Sequence, residues 1–172
     1  RRTAFVNLPS DAIDDRLPGK GGNERDTWLG KRFEEFIANH NPKKPFFSFM
    51  FLDSPHAPYR YPDNFAKFQP TVDEINYFEV KKANAQVDQT HPLFNRYRNS
   101  IFFTDSVVSR IIADLKKANL MDSTIVIITG DHGEEFDETG YYGHTSAFSD
   151  FQVKVPFILH IPGEKPAKVT SL

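Results

Sequence analysis

The chain of 172 residues contains no cysteine. That absence excludes disulfide frameworks, thiolate zinc centres and thiol nucleophiles within it, and leaves the compartment open. Long apolar runs are missing as well. Nothing approaches the roughly 18 residues of a membrane span, and no signal-peptide pattern opens the sequence. An excess of charge of one sign is also lacking, since 21 Lys and Arg stand against 23 Asp and Glu for a formal net charge of -2. The basic residues are scattered, so no field draws nucleic acid and no nucleic-acid partner is expected. Internal repeats and low-complexity segments are absent. The sequence opens on "RRTAF" rather than Met. It therefore reads as a piece of something longer, with any membrane anchor expected in an N-terminal part upstream.

What is there suits one globular domain, with 39% hydrophobic and 14% aromatic residues. The glycine- and proline-bearing opening reads as loop. From Asp26 the pattern turns helical: Asp26 is placed as the N-cap of "TWLGKRFEEFIANH", with Leu29, Phe33, Phe36 and Ile37 on one face. His40, near its end, reads as a surface residue favoured by the helix dipole. The run "PFFSFMFL", residues 45–52, predicts a strand buried on both faces. A proline-punctuated loop follows through Pro70, then a polar stretch to about Thr90 with no assignable pattern. Residues 93–120 predict the longest helix, with Tyr97, Ile101, Val108, Ile111, Ile112 and Leu115 as its apolar stripe. "TIVIIT" and "VPFILHI" predict two further strands. Apolar strands alternating with helices predict an α/β fold, a largely parallel sheet flanked by helices.

In such sheets ligands bind beyond the carboxyl ends of the strands. Two histidine-bearing loops stand at that position: His56 follows Leu52 in "LDSPHAPY", and Asp131 and His132 follow Thr129 in "TIVIITGDHGEEFDETGYYGH". Neighbouring side chains in a strand point to opposite faces, so convergence of Asp131 and His132 needs a bend, and Gly130 and Gly133 supply the freedom. A carboxylate with an imidazole suits a divalent cation, tilted toward zinc or manganese. Zinc takes about four ligands, so the remainder must come from elsewhere. The tetrad Gly-Asp-His-Gly alone reads equally as a turn. Glu134, Glu135, Asp137 and Glu138 read as a solvated loop face, and His91 and His160 as structural. His144 is open to two readings, a surface residue or one folded back over the same edge.

The strings "FFSFMFLDSPHAPYRYPDNF", "DSVVSRIIADLKKANLMDSTIVIITGDHGEEFDETGYYGH" and "VKVPFILHIPG" together resemble the C-terminal part of the sulfatase branch of the alkaline phosphatase superfamily. Three motifs stand in the family's order and at about its spacing. The likeness is to bacterial membrane-anchored members such as lipoteichoic acid synthases, phosphoethanolamine transferases and YejM-type proteins. It implies an alkaline-phosphatase-like fold, with residues 1–172 the C-terminal portion of one sulfatase-like domain.

The resemblance further implies that Asp131 and His132 bind a divalent metal ion, whether calcium, manganese or zinc. His56, in the His-x-Pro motif, would contact the sulfate or phosphate group. His144 would stand where the family has a Lys or His binding that group or a second metal. The implied activity is hydrolysis or transfer of a sulfate or phosphate ester, possibly lipid-linked, on the periplasmic face of an inner membrane or otherwise outside the cytoplasm. The family's nucleophile, a Cys, Ser or Thr, has no match here, Thr3 and Ser10 being poor candidates. The isolated piece is therefore expected to be inactive. The alternative is a sulfatase-shaped module without catalysis, with a lipid-binding or regulatory role.

Overall fold

The computed structural model describes residues 7–9, 12–13, 17–76 and 91–169. Thr3, Ser10 and residues 77–90 of the unassigned polar stretch lie outside the described residues.

Helix α1 spans Gly22–Asn39 and begins a full turn earlier than the sequence predicts. Asp26 is therefore not its N-cap. It sits inside the helix, fully buried, and its two carboxylate oxygens accept the backbone N–H groups of Asp53 and Ser54, each at 2.8 Å. The helix reaches this loop because Gly22 lets it: a Cβ there would stand 2.8 Å from the Asp53 carbonyl oxygen. Phe33 and Ile37 face the core as expected, whereas Phe36 is largely exposed and packs its ring against His40 and Phe46.

Residues 45–52 belong to no helix or sheet among the described residues. The segment alternates. Phe46 and Met50 pack on the core, while Phe47, Phe49 and Phe51 are 83%, 60% and 57% exposed. The expected strand buried on both faces is thus not seen; alternate side chains of the segment are covered and the ones between them are exposed.

Helix α2, Pro92–Lys117, has His91 as N-cap, whose Nδ1 accepts the Leu93 N–H, and ends with Lys116 and Lys117 in its last turn. Its buried side chains include Leu93, Phe103, Val107 and Leu115, and Ile101 of the expected stripe is exposed. Contact with α1 sets the buried line, for a Cβ at Gly30 of α1 would lie 3.5 Å from the Val107 Cγ1.

Strand β1, Val126–Thr129, pairs antiparallel with β4, Phe157–His160, in the register Ile127 opposite Leu159. Between them, β2, Glu135–Phe136, and β3, Tyr142–Gly143, form a second antiparallel pair. The single-turn helix α3, Asp150–Val153, completes the connection. Helices and strands mix as an α/β chain should, but the largely parallel sheet is not seen among the described residues. A parallel return needs a long crossover, usually a helix. Residues 130–156 hold only the β2–β3 pair and one helical turn.

Two apolar clusters hold these parts. Phe33, Ile37, Leu115 and Leu120 join α1 to α2, with Val126 of β1 against them. Tyr59, Leu93 and Phe136 join the His56 loop, α2 and β2. His160 is structural as expected, its Nε2 lying 3.2 Å from the Met121 carbonyl oxygen.

Candidate active site

The loop carrying His56 is held by polar side chains from both helices. Besides the Asp26 contacts, Arg25 of α1 pairs with Asp53. From α2, Arg96 donates to the Pro58 and Val72 carbonyl oxygens, each at 2.7 Å. Asn99 both accepts the Phe68 N–H and donates to the Phe68 carbonyl oxygen, and Asn95 donates to that of Pro70. The turn itself closes through the Tyr59 N–H on the His56 carbonyl oxygen at 2.8 Å. Tyr59 has a left-handed φ of 53°, a conformation costing roughly 1–2 kcal/mol for a residue with a Cβ. Full burial of its ring against Tyr97 and Phe136 holds it there.

The second loop leaves β1 at Gly130. Neither Gly130 nor Gly133 has a positive φ, so the freedom expected of them is not what the bend uses. Gly133 is required by space: a Cβ there would stand 2.0 Å from the Phe151 carbonyl oxygen, while its N–H donates to the Gln152 carbonyl oxygen at 2.9 Å. Gly143, at φ 88°, turns the chain directly before His144. That is the glycine whose left-handed backbone brings the histidine back.

The acids of this loop are not one solvated face. Glu135 is wholly buried, and the Glu134 side chain is only 8% exposed, beside the His144 ring. Glu135 accepts hydrogen bonds from the Thr139 N–H and hydroxyl, the Ser149 hydroxyl and the Gln152 amide. Burial opposes ionisation of its carboxyl, yet the bonds from Thr139, Gln152 and Ser149 outweigh that and hold it at about 2. Sequence reasoning missed both glutamates, because four acids in five positions look alike and the partners of Glu135 lie downstream. Glu138 is exposed, as expected of a solvated acid.

Three histidines from two loops converge. The His144 ring stacks on His132 with centroids 3.8 Å apart, and His56 stands edge-on to it at 5.5 Å. Each ring has its Nδ1 turned to an acceptor: His56 to the Ala57 carbonyl oxygen at 2.8 Å, His132 to that of Gly133 at 2.8 Å, and His144 to the Glu134 carboxylate at 3.3 Å. A carbonyl oxygen can only accept, so Nδ1 carries the proton in His56 and His132. In a neutral ring that leaves Nε2 with the lone pair a metal takes.

Asp131 is exposed, and its Oδ1 lies 3.7 Å from the His132 Nε2. The donor types fit a divalent cation, one carboxylate and one imidazole whose other nitrogen is held by a carbonyl. Their number does not complete a zinc shell. Among the described residues no group of three or more His, Cys, Asp or Glu is arranged to hold a metal ion.

A chain of helices and strands that gathers imidazoles and carboxylates at a strand end is an α/β protein with its chemistry placed by loops. The family is more definite. The sulfatase family model matches residues 3–171, and the chain belongs to that family, within the alkaline phosphatase superfamily. It is 26% identical over 193 residues to human iduronate 2-sulfatase, covering 93% of this chain and 34% of that protein. It is 30% identical over 120 residues to phosphoethanolamine transferase EptC of Escherichia coli, covering 70% of this chain and 19% of the transferase. Likewise it is 23% identical over 147 residues to an extracellular sulfatase SULF-1 homolog of Drosophila melanogaster, 76% of this chain and 13% of that protein. The chain thus spans about a third or less of the relatives it matches.

Proposed function

We propose that this chain supplies half of the active site of a metal-dependent enzyme that hydrolyses or transfers a sulfate or phosphate ester. The observation that carries the reading is the convergence of His56, from one loop, and His132, from the other, on the ring of His144. Asp131 and His132 hold a divalent cation, which when bound supplies Lewis acidity toward an ester oxygen and toward an attacking hydroxyl. Calcium, manganese and zinc all remain compatible with that donor pair.

His56 and His144 face the transferring group. With both ring nitrogens protonated, each donates Nδ1–H to its protein acceptor and Nε2–H to an anionic oxygen, where charge builds in the transition state. Glu134 fixes the direction of the His144 ring and balances its charge. The nucleophile and further ligands come from chain outside the described residues, and in the whole protein a parallel sheet extends from this part.

The kinship with sulfatases and with a phosphoethanolamine transferase supports an ester of either sulfur or phosphorus. The protein works at the periplasmic face of an inner membrane or otherwise outside the cytoplasm, and the relation to an extracellular sulfatase supports the extracytoplasmic part of that reading. No helix among the described residues is long and apolar enough to cross a membrane.

The test uses the full-length protein, with elemental analysis and assays on an aryl sulfate and a phosphodiester. Asp131→Asn and His132→Ala are expected to lower both metal content and turnover, turnover by about 100-fold or more, since even outer-shell changes cost 10–100-fold. Metal content and turnover equal to wild type in both variants would falsify the assignment. A wild-type protein that binds no metal and turns over neither substrate would favour the non-catalytic module.

A further inference from the structure

We propose that Glu135 and Gln152 are a positioning pair that fixes where His144 sits against His132, an inference resting on the active-site reading above. His144 lies between tie points on either side. Upstream, Glu135 Oε1 accepts the Thr139 N–H at 2.8 Å and its hydroxyl at 2.5 Å. Downstream, Gln152 Oε1 accepts the Ser146 and Ala147 N–H groups at 3.3 and 3.2 Å, and its Nε2 donates to the Ser146 hydroxyl at 3.0 Å. The two side chains join through Gln152 Nε2 on Glu135 Oε2 at 2.8 Å, where Ser149 also donates. In the β2–β3 register Glu135 stands opposite Gly143, the residue that turns the chain into His144.

All of these bonds end within residues 135–152, so their geometry is spent on the shape of this one loop. A buried carboxylate is costly unless its acceptor sites are filled. Here two oxygens meet four donors, which makes the pair stiff as well as satisfied. Both members are buried, and none of their hydrogen bonds runs to an imidazole. They act on His144 through the backbone on its two sides, and touch no reacting atom.

The hydrogen-bond pattern permits an exchange. In Glu135→Gln the new amide brings a donor against the Gln152 Nε2 donor, or against the Thr139 N–H if it flips. In Gln152→Glu two carboxylates face each other. In the double variant Glu135→Gln/Gln152→Glu, the new carboxylate accepts from Ser146, Ala147 and the new amide, and the new amide accepts from Thr139. The hydroxyls of Ser146 and Ser149 rotate to match.

The experiment compares these three variants in the full-length protein with histidine-labelled NMR and with steady-state kinetics. The ring-current displacement of the His132 signal, defined by its loss in His144→Ala, reports the stack without needing turnover. Both single variants are expected to lose it and to lower kcat/KM about 10–100-fold, with the double variant recovering both. If a single variant does not fold, Ser146→Ala, which removes one bond of the set, takes its place beside the double variant. Persistence of the displacement in the single variants, or no recovery in the exchange, overturns the positioning pair. Unchanged kcat/KM with a displaced ring overturns its part in the reaction. An inactive wild type with the displacement lost and recovered as expected supports the pair and removes the enzymatic reading instead.

Discussion

At the scale of the residue, Glu135 combines full burial with a carboxyl held at about 2. In the unfolded chain the same group titrates near its ordinary value of about 4.5. A depressed folded value stabilises the fold fully above the unfolded value, and that stabilisation is lost as pH falls from about 4.5 toward about 2. Urea midpoints of the wild type are therefore expected to fall over that window by a component that Glu135→Gln lacks. An identical acid dependence in the two proteins would show that Glu135 is not the group responsible.

The sequence showed where Asp131, His132 and His144 stand in the loop after β1, because strand ends are legible from apolar runs and turn glycines. It could not show which of the four neighbouring acids is buried. Glu135 differs from Glu138 only by what Thr139, Ser149 and Gln152 do around it, and hydrogen bonding between loop residues leaves no periodic signal.

At the scale of the element, α1 positions the His56 loop as much as it fills a core. Removing the Asp26 carboxylate leaves the Asp53 and Ser54 N–H groups without their acceptor. An unmet buried donor costs about 1–3 kcal/mol. Burial also raises the Asp26 carboxyl above its ordinary value, so part of that cost is offset by no longer burying the acid. Asp26→Ala is expected to destabilise the protein by about 2 kcal/mol. Amides near His56 should then exchange faster while those of α2 keep their protection. Equal loss of protection everywhere would count against a local role.

Both helices were legible from their 3.6-residue periods. Leu115, Ile111 and Tyr97 of the expected α2 stripe do pack on the core, whereas the start of α1 and the outward turn of Ile101 were not legible. Gly22 against the Asp53 carbonyl and Gly30 against Val107 are contacts between distant segments, and they moved Asp26 inward and turned Ile101 outward.

At the scale of the whole molecule, the apolar strands are the main departure. Residues 45–52 read as a strand covered on both faces, and residues 124–129 and 155–161 as two further apolar strands. Instead Phe47, Phe49, Phe51, Ile127, Phe157 and Leu159 lie exposed. Large apolar side chains exposed in such number mark surface that another part of a protein covers. The 172-residue chain produced by itself is expected to bind the dye ANS and to self-associate in sedimentation, and the full-length protein to do neither. A monomeric chain silent to the dye would mean that these side chains find cover within residues 1–172. Apolar patterning tells which side chains avoid water; what covers them is decided by neighbours the pattern does not contain.

The apolar segment before the His56 loop has one more consequence. Residues 46–52, "FFSFMFL", hold seven positions without a charge, a proline or a glycine. That is the composition from which stacked, interdigitating β-fibrils form. Pro45 and Asp53 flank it. A proline cannot extend a strand ladder and a charge repels its copy in the next layer, so these two residues act as gatekeepers against amyloid growth whenever the chain is unfolded. Asp53, which helps to hold the His56 loop in the folded chain, also protects the newly made one.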